Sequence, residues 1–316
     1  MKRKDDFRIV TYFPAWAPER ADRLRYDVLT HVIYAFAIPT EEGGLLPLDH
    51  AEFAKRLVAE AHANDTLISV AVGGWSWKDI PLEPTFVKAT ETDEKVEKLS
   101  DAIVSMVEEY GFDGADMDWE HPRVADGSGK RYEKLMLRLS EKLHSKGKYL
   151  SAAVIGGVDA NGNPGGIDTG GADVGNAAMA QSEAVLGCID WLNVMAYDGP
   201  GDHHASWEYA LNSTRFWKDV RKMPADRIAL GVPFYAQAPG GNFDNLNRLY
   251  PDEAWKVDFM EKEGRRYCYN GIPTIERKTR YAKEHLGGIM IWEAGGDTLD
   301  QERSLLAAIG RAADSI

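Results

Sequence analysis

Short apolar segments alternate along this chain with stretches of helical periodicity. The apolar segments are rich in Val, Ile, Leu and Tyr along almost their whole length, which is typical of strands covered on both faces. Eight strands are predicted, at Arg8–Pro14, His31–Ile38, Leu67–Gly73, Gly114–Glu120, Leu150–Ile155, Trp191–Asp198, Ile228–Tyr235 and Gly288–Glu293. Their alternation with helices indicates a parallel sheet and predicts an α/β fold of the (β/α)8 TIM-barrel type.

Helices are predicted between the strands from apolar positions at helical spacing. The stretch Asp93–Tyr110 carries such positions and is followed by Gly111, a residue common just after a helix. Arg131–Ser145 and Pro273–His285 follow the same pattern, whereas Gln237–Gly271 is predicted to be largely irregular. Because 316 residues suit one barrel with modest loops, we expect a single domain over residues 1–316.

The acidic side chains of one predicted strand point to chemistry. Asp116, Asp118 and Glu120 occupy every second position, so a strand would place all three on the same face. Apolar residues accompany them: Phe112, Ala115, Met117 and Trp119. These indicate a buried segment rather than a solvated edge strand. Since three like charges resist ionising together, at least one acid should stay protonated near neutral pH and be able to donate a proton.

Composition argues against several classes of partner. The formal net charge of −13 disfavours nucleic acid and anionic membranes, because both need basic surfaces. Nine Trp and thirteen Tyr residues could fill the core or stack on sugar rings, and both readings stay open here. The two cysteines, Cys188 and Cys268, are expected to be free and mostly buried thiols.

The amino terminus leaves the cellular compartment open. No apolar run is long enough to span a membrane, and the basic start Met1–Asp6 lacks the apolar region of a signal peptide. The chain is therefore expected to be cytoplasmic as written, or secreted with its export signal removed. We expect a monomer that does not bind a membrane.

Four acids at fixed spacing carry a family resemblance. The run Asp113-Gly114-Ala115-Asp116-Met117-Asp118-Trp119-Glu120 has the DxxDxDxE pattern of glycoside hydrolase family 18, the chitinases and their relatives. Tyr34-Ala35-Phe36 is similar to the family's YAF segment, and Met195-Ala196-Tyr197-Asp198 to its MxYD motif. The resemblance implies a catalytic (β/α)8 barrel with its site at the carboxyl ends of the strands.

The resemblance implies a role for each of four catalytic residues. Glu120 would protonate the glycosidic oxygen and then activate water, while the substrate's own 2-acetamido oxygen attacks C1 in place of a protein nucleophile. Asp118 would orient the acetamido N–H and stabilise positive charge, and Asp116 would share a proton with Asp118. Tyr197 would hydrogen-bond the acetamido carbonyl. Asp113 would support this site from just before the strand, although a purely structural role is the favoured interpretation for it.

Substrate contacts are implied at the ends of the other strands. Trp292 would form the floor of the subsite at the cleaved sugar. The other substrate-binding residues would be Tyr12, Phe36, Trp75, Met195, Asp198 and Tyr235. No metal or cofactor is implied, because His203-His204 lacks a ligand framework and Gly73-Gly74 lacks the pattern of a phosphate-binding loop. The two histidines and Trp207 are expected instead to line the leaving-group side of the cleft.

Three features depart from the family pattern. Ala71 stands where the family's SxGG motif has Ser, so a hydroxyl is missing near the carboxylates. Phe234-Tyr235-Ala236-Gln237 lacks the Arg of the family's FYGR segment, which puts one substrate contact in doubt. The segment between the last two strands is also too short for the α+β insertion domain that many members carry, which implies a more open groove.

The leading functional interpretation is a retaining glycoside hydrolase that cleaves β-1,4 bonds in chitin or chito-oligosaccharides by substrate-assisted catalysis. An endo-β-N-acetylglucosaminidase acting on N-glycans, or on a bacterial cell-wall or spore glycan, stays open because it needs the same acetamido group. A catalytically inactive chitin-binding lectin is the alternative outside the enzymes. The run Trp119-Glu120-His121-Pro122 resembles the WEYP of chitinases, which favours chitin, and the intact acids favour an enzyme.

Overall fold

A closed barrel of eight parallel strands forms the centre of the computed structural model, which describes residues 7–159, 161–163, 174–237 and 241–315. The strands are β1 (Arg8–Pro14), β2 (His31–Ala37), β3 (Leu67–Gly73), β4 (Gly114–Asp118), β5 (Tyr149–Ile155), β6 (Trp191–Met195), β7 (Ile228–Pro233) and β8 (Gly288–Trp292). Each strand pairs with its neighbours in chain order, and β8 closes the ring by pairing with β1. The predicted (β/α)8 fold is confirmed.

Helices surround the barrel. They are α1 (Ala51–Ala63), α2 (Glu83–Ala89), α3 (Asp93–Tyr110), α4 (Ser128–His144), α5 (Val174–Ala180), α6 (Glu183–Cys188), α7 (Trp207–Arg215), α8 (Phe243–Leu249), α9 (Ile272–His285) and α10 (Leu305–Asp314). A π-helical turn, Phe216–Val220, continues α7. Helix α3 has the predicted bounds: the Thr92 side chain accepts a hydrogen bond from the Lys95 N–H, and Gly111 adopts the left-handed conformation at the other end.

Two hydrophobic cores stabilise this arrangement. The larger core lies between the strands and the helices and includes Phe13, Leu139 and Ile309. The smaller core fills the barrel interior with Val10, Tyr12, Ile33, Ala35, Ala71, Ala153, Trp191, Tyr197, Ala205, Ala229 and Met290. Many of its members are alanines. Because alanine fills little volume, this interior has room for the side chains of Asp116 and Asp118, which are 0% and 3% exposed.

Several strands are shorter than the sequence predicted. Strand β4 ends at Asp118 and β6 at Met195, and β2, β7 and β8 also stop short of their predicted ends. Glu120, Tyr197 and Asp198 consequently lie on the loops that follow their strands. These loops turn over the mouth of the barrel, where side chains can face a ligand while the strands stay rigid.

The segment Gln237–Gly271 is more ordered than predicted. Apart from residues 238–240, which lie outside the described residues, it contains α8 and an antiparallel hairpin of Phe259–Lys262 with Arg265–Cys268. The prediction of a largely irregular segment is therefore wrong. The hairpin escaped notice because its strands are only four residues long and show no alternation of apolar and polar residues.

The cysteines are free thiols, as predicted. Cys188 is half-buried at the end of α6, and the buried Cys268 donates a hydrogen bond from Sγ to the Asp202 carbonyl at 3.2 Å. A separate finding concerns membranes: within the described ranges, no helix is both long and apolar enough to cross one.

Candidate active site

A cleft with a volume of about 890 Å³ opens at the carboxyl ends of the strands. The predicted site residues that line it are Tyr12, Phe36, Trp75, Asp118, Glu120, Met195, Tyr197, Asp198 and Trp292. The other two, Asp116 and Tyr235, lie behind this lining. Each of them hydrogen-bonds a lining residue, Tyr12 and Asp198 respectively. The structure therefore brings together all of the predicted catalytic and substrate-binding residues.

Asp116 lies deepest and is held by three donors. Its Oδ2 accepts from the Tyr12 hydroxyl at 2.6 Å, and its Oδ1 accepts from the Ser151 hydroxyl and from Asn193 Nδ2, the latter at 3.0 Å. Complete burial raises the pKa of Asp116, and the hydrogen bonds from Ser151, Tyr12 and Asn193 oppose that rise. Such a set of donors favours the ionised form.

Asp118 lies above Asp116 in a contrasting environment. It is buried, and among the described residues its Oδ1 has no hydrogen-bond partner. Burial raises its pKa well above the usual value, and the negative charges of Glu120 and Asp116 raise it further. Folding therefore makes ionisation of Asp118 harder, in the direction that the crowding of acids in the motif predicted for at least one of them.

The Gly73-Gly74 pair makes this close packing possible. Gly73 has a φ of 117°, and a Cβ on it would lie 2.3 Å from the Asp118 carbonyl oxygen. The Gly74 N–H donates to that same oxygen at 2.8 Å. The glycines thus allow the end of β3 to approach the acid-bearing strand.

Glu120 faces the cleft from the loop after β4. Its side chain is 17% exposed, and burial together with the negative charge of Asp198 raises its pKa to about 7. The neighbouring His121 has its Nε2 3.8 Å from Glu120 Oε2, and burial lowers the pKa of His121 to about 4. A neutral imidazole thus lies beside a carboxyl group that is partly protonated at neutral pH, which suits proton donation.

Asp198 is the ionised acid of the cleft. Burial raises its pKa, but hydrogen bonds from His204 and Tyr235 outweigh that effect and bring the pKa below its usual value. The Tyr235 hydroxyl donates to Asp198 Oδ2 at 2.6 Å, and His204 Nδ1 lies 3.2 Å from Oδ1. Tyr197 extends into the cleft beside it, and burial raises the pKa of its hydroxyl well above the usual value, so that this hydroxyl remains a donor.

Aromatic rings form the floor of the cleft. The ring of Trp292 lies 5.4 Å from that of Tyr12 and stacks on Phe36 at 5.7 Å, measured between ring centroids. Trp16 stacks on Phe36 at 6.3 Å and lies 6.5 Å from Trp292, so the three rings form one cluster. Trp16 and Trp75 are 61% and 60% exposed, which is high for such large apolar rings. Exposed flat rings beside buried acids suit a ligand with apolar faces and polar edges.

Some contacts at the site were not predicted. Ser151 and Asn193 are inward-facing residues of β5 and β6, and the register that pairs Asp116 with Ser151 places the first of them beside the acid. Trp16 follows Tyr12 at the end of β1, and its position just after a strand was the available signal.

Two expectations about neighbouring residues are wrong. Asp113 does not support the acids, because its Oδ2 accepts from the Ile68 N–H at 2.8 Å and faces His62 Nε2 at 2.9 Å, at the amino-terminal end of the strands. His203, His204 and Trp207 do not line the cleft either: His204 is completely buried, and Trp207 packs beneath the Arg277 guanidinium. Within the described part of the chain, no group of three or more His, Cys, Asp or Glu residues is placed to hold a metal ion.

Comparison with known proteins identifies the family. The model of glycosyl hydrolases family 18 matches residues 8–297. The chain belongs to glycosyl hydrolases family 18. The resemblance predicted from the acid motif is thereby confirmed over nearly the whole family 18 barrel.

Relatives of this family 18 chain differ greatly in length. It is 26% identical to Chitinase A1 of Niallia circulans, over 72% of this chain and 40% of that protein. It is 25% identical to Probable chitinase 10 of Drosophila melanogaster, over 91% of this chain and 15% of that protein. A chitinase-like effector of Moniliophthora roreri is 27% identical, with 83% and 70% covered. The chain thus spans less than half of the first two relatives.

Solved structures share the fold. The crystal structure of a family 18 chitinase from the chitin utilization locus of Flavobacterium johnsoniae has a TM-score of 0.80 at 24% identity, and covers 98% of this chain and 94% of its own. The Group IV chitinase of Ostrinia furnacalis has a TM-score of 0.79 at 21% identity, with 98% and 100% covered. At these identities the likeness concerns the barrel fold.

Proposed function

We propose that this chain is a retaining glycosidase that hydrolyses β-1,4 bonds in chitin and chito-oligosaccharides by substrate-assisted catalysis, with the barrel as its catalytic domain. The observation that carries the proposal is the arrangement of three acids beside the aromatic rings of the cleft. Asp116 lies deepest in the barrel, Asp118 lies above it, and Glu120 faces the cleft. Burial raises the pKa of all three acids; three hydrogen-bond donors oppose the rise at Asp116, the deepest, and the pKa of Glu120, which faces the cleft, reaches about 7. Such an array keeps a removable proton beside acids that can share a negative charge.

Glu120 is the general acid of the proposed reaction. Its proton passes to the glycosidic oxygen as the bond from C1 to that oxygen breaks, and the acetamido carbonyl oxygen of the sugar forms a new bond to C1. This gives an oxazolinium ion and a free leaving-group hydroxyl. The Glu120 carboxylate then takes a proton from water as the water attacks C1 from the face that the leaving group occupied, which retains the configuration.

Asp118 and Tyr197 hold the acetamido group for that attack. Asp118 Oδ1, which has no hydrogen-bond partner among the described residues, accepts the acetamido N–H, and the buried Tyr197 hydroxyl donates to the carbonyl oxygen. Both contacts fix the attacking oxygen close to C1, which lowers the entropic part of the barrier. Asp118, which shares a proton with Asp116, stabilises the positive charge of the oxazolinium ion from below.

Chitin is favoured over other glycans with an acetamido sugar for two reasons. The curated relatives named above are chitinases or a chitinase-like protein by name. The exposed rings of Trp16 and Trp75 lie on the cleft beyond the central Trp292, so the apolar surface extends past a single sugar. A long uniform chain of N-acetylglucosamine matches such an extended aromatic surface.

The test is mass-spectrometric product analysis of N-acetyl-chitopentaose with the wild type and with Glu120→Gln. We expect short N-acetylated products from the wild type and a rate lower by roughly 10²–10⁴-fold in the variant, because removing a general acid costs that much. Cellotetraose, which lacks the acetamido group, is the matched control substrate and should stay intact. If neither protein cleaves the chito-oligosaccharide, an N-glycan substrate is tested next. Binding without turnover of either would indicate a lectin.

A further inference from the structure

His204 occupies a buried position next to the ionised acid of the cleft. It is 0% exposed, and its Nδ1 lies 3.2 Å from Asp198 Oδ1, to which a protonated Nδ1 donates, and 3.2 Å from the Asp198 backbone nitrogen, whose N–H donates to an unprotonated Nδ1. Its Nε2 has no hydrogen-bond partner in the described part of the chain. Buried polar atoms usually have hydrogen-bond partners, and burying one without a partner lowers the stability of the fold. The polar contacts of the buried His204 imidazole are nevertheless concentrated on one residue, Asp198.

The loop that carries His204 is fixed from behind. The Ala205 carbonyl accepts from Lys278 Nζ at 2.8 Å and from Asn270 Nδ2 at 2.9 Å, and the His204 carbonyl accepts from the Gly199 N–H at 2.9 Å. Lys278 is itself completely buried on α9. These hydrogen bonds to the backbone carbonyls of His204 and Ala205 fix the backbone that carries the imidazole ring.

The Asp198 side chain, in contrast, is fixed by few contacts. Its backbone adopts a positive φ of 50°, and its side chain remains 59% exposed. The two hydrogen bonds that its carboxylate receives in the described structure come from Tyr235 and His204. Without them, the carboxylate would be free to turn towards water and away from Glu120, on which its charge acts.

We propose that His204 is a positioning residue for the glycosidase reaction, and that by holding Asp198 in place it sets the pH range over which Glu120 can donate its proton. The proposal rests on the proposed function for its kinetic consequence, while its electrostatic part concerns the resting protein alone. The titratable groups around the imidazole are Asp198, Tyr235, His203, Lys278 and Asp258. Of these, Asp198 is the one that acts on Glu120 as an ionised acid.

The direction of the effect follows from the sign of the charge. The negative charge of Asp198 makes ionisation of Glu120 harder and thereby raises its pKa. When Asp198 turns away, Glu120 ionises at a lower pH and loses its proton earlier as the pH rises. The basic limb of the pH–activity profile should then move to lower pH.

The test uses three variants at two neighbouring positions. His204→Leu removes the contact, whereas His204→Asn places an amide N–H close to the position of Nδ1 and can restore it. His203→Asn is the matched control, because His203 contacts the Asp258 carbonyl and the Ala205 N–H rather than Asp198. All three alter the same loop, so a general loosening of the loop would affect them alike.

The readout is the titration midpoint of Glu120, followed by carbon NMR of protein labelled at the glutamate carboxyls and assigned by loss of the signal in Glu120→Gln. We expect a midpoint lower by about half a pH unit or more in His204→Leu, and a wild-type midpoint in both asparagine variants. The basic limb of kcat on chito-oligosaccharides should move by the same amount. Because the NMR titration needs no substrate, it tests His204 even if the wild type does not cleave chitin.

An unchanged or raised Glu120 midpoint in His204→Leu would overturn the proposal, as would a His204→Asn midpoint that falls as far as that of the leucine variant. If His204→Leu does not fold, Asp198→Asn with and without His204→Asn replaces it. The first change should lower the midpoint, and the second should then have no further effect, because the charge that His204 positions is already gone. A further shift in the double variant would refute the pathway through Asp198.

Discussion

The two ends of the barrel carry acidic side chains in opposite settings. At the amino-terminal end, Asp113 accepts from the Ile68 N–H at 2.8 Å and faces His62 at 2.9 Å. Asp190 repeats this arrangement, since it accepts from the Leu150 N–H at 2.7 Å and faces His144 at 2.9 Å. Each of these acids is partly exposed and lies just before a strand. Its hydrogen bond connects the start of that strand to the start of the preceding strand, β4 to β3 for Asp113 and β6 to β5 for Asp190.

At the carboxyl-terminal end the acids are buried and crowded. Asp118 is 3% exposed, has an oxygen without a partner in the described structure, and lies between the charges of Glu120 and Asp116. The pKa values of Asp118 and Glu120 are raised, which means that folding makes their ionisation harder. Such acids lower stability near neutral pH instead of adding to it.

The comparison teaches that burial and donors, and not proximity in sequence, decide what an acid does here. Asp113 and Asp116 are near neighbours in one motif. Asp113 nevertheless connects two neighbouring strands by a hydrogen bond, whereas Asp116 lies under the cleft. In a (β/α)8 barrel the amino-terminal face serves stability and the carboxyl-terminal face serves chemistry. Variants at the two ends should therefore move stability and activity independently.

The largest expected effect is on activity, from Asp118→Asn. The amide keeps the shape but cannot carry the charge, so kcat on chito-oligosaccharides should fall by roughly 10²–10³-fold. Unfolding at pH 7 should require at least as much free energy as in the wild type, since the variant removes a buried acid with a raised pKa. Asp116→Asn is the contrast: it disturbs an acceptor of three hydrogen bonds and should lower both stability and rate. Equal destabilisation by the two changes would refute the distinction between the acids.

A second effect separates stability from activity at Glu120. The pKa of Glu120 is about 7 in the folded protein and lower in the unfolded chain. Ionisation of Glu120 therefore lowers the free energy of unfolding by up to about 3 kcal/mol. Glu120→Gln should therefore be more stable than the wild type above pH 7, by up to about 3 kcal/mol. Below about pH 4 the two should be equal, because the acid is then protonated in both states.

Urea unfolding at a series of pH values measures this gap. The gap should open between about pH 4 and pH 7, as Glu120 ionises first in the unfolded chain and then in the folded protein. Glu108→Gln, on the outer helix α3, is the matched control at an exposed position and should leave no such pH-dependent gain. A constant difference at all pH values would mean that packing, and not ionisation, distinguishes the Glu120 variant.

The sequence predicted the parts of this molecule that depend on local pattern. Strands such as β1 and β3 were placed residue for residue, because their apolar runs end at turn-forming residues. Helix α3 was placed correctly for the same reason, and Gly111 marks its end. The acids and rings of the cleft were found because each lies at or just after a strand end, and parallel strands bring those ends together.

What the sequence did not predict depends on contacts across the barrel. The Asn193 amide reaches Asp116 because of the stagger between non-adjacent strands, which the periodicity of one strand does not specify. His204 is separated from Asp198 by a loop whose turn brings it back, and no pattern in that loop marks the contact. Asp113 was misplaced because position beside a motif does not tell which end of a strand a side chain faces.

The smallest expected effect is at the amino-terminal end of the barrel, and it tests whether Asp113 serves stability or the cleft. Asp113→Ala removes the acceptor of the Ile68 N–H and the partner of His62, and should lower the free energy of unfolding by about 1–2 kcal/mol. Asp113→Asn keeps a carbonyl acceptor and should cost less. Asp190→Ala should behave like Asp113→Ala, and the two costs should add because the sites share no partner. All three variants should keep the wild-type kcat, measured alongside urea unfolding. A large loss of kcat at unchanged stability in Asp113→Ala would instead show that this acid acts on the cleft from the far end of its strand.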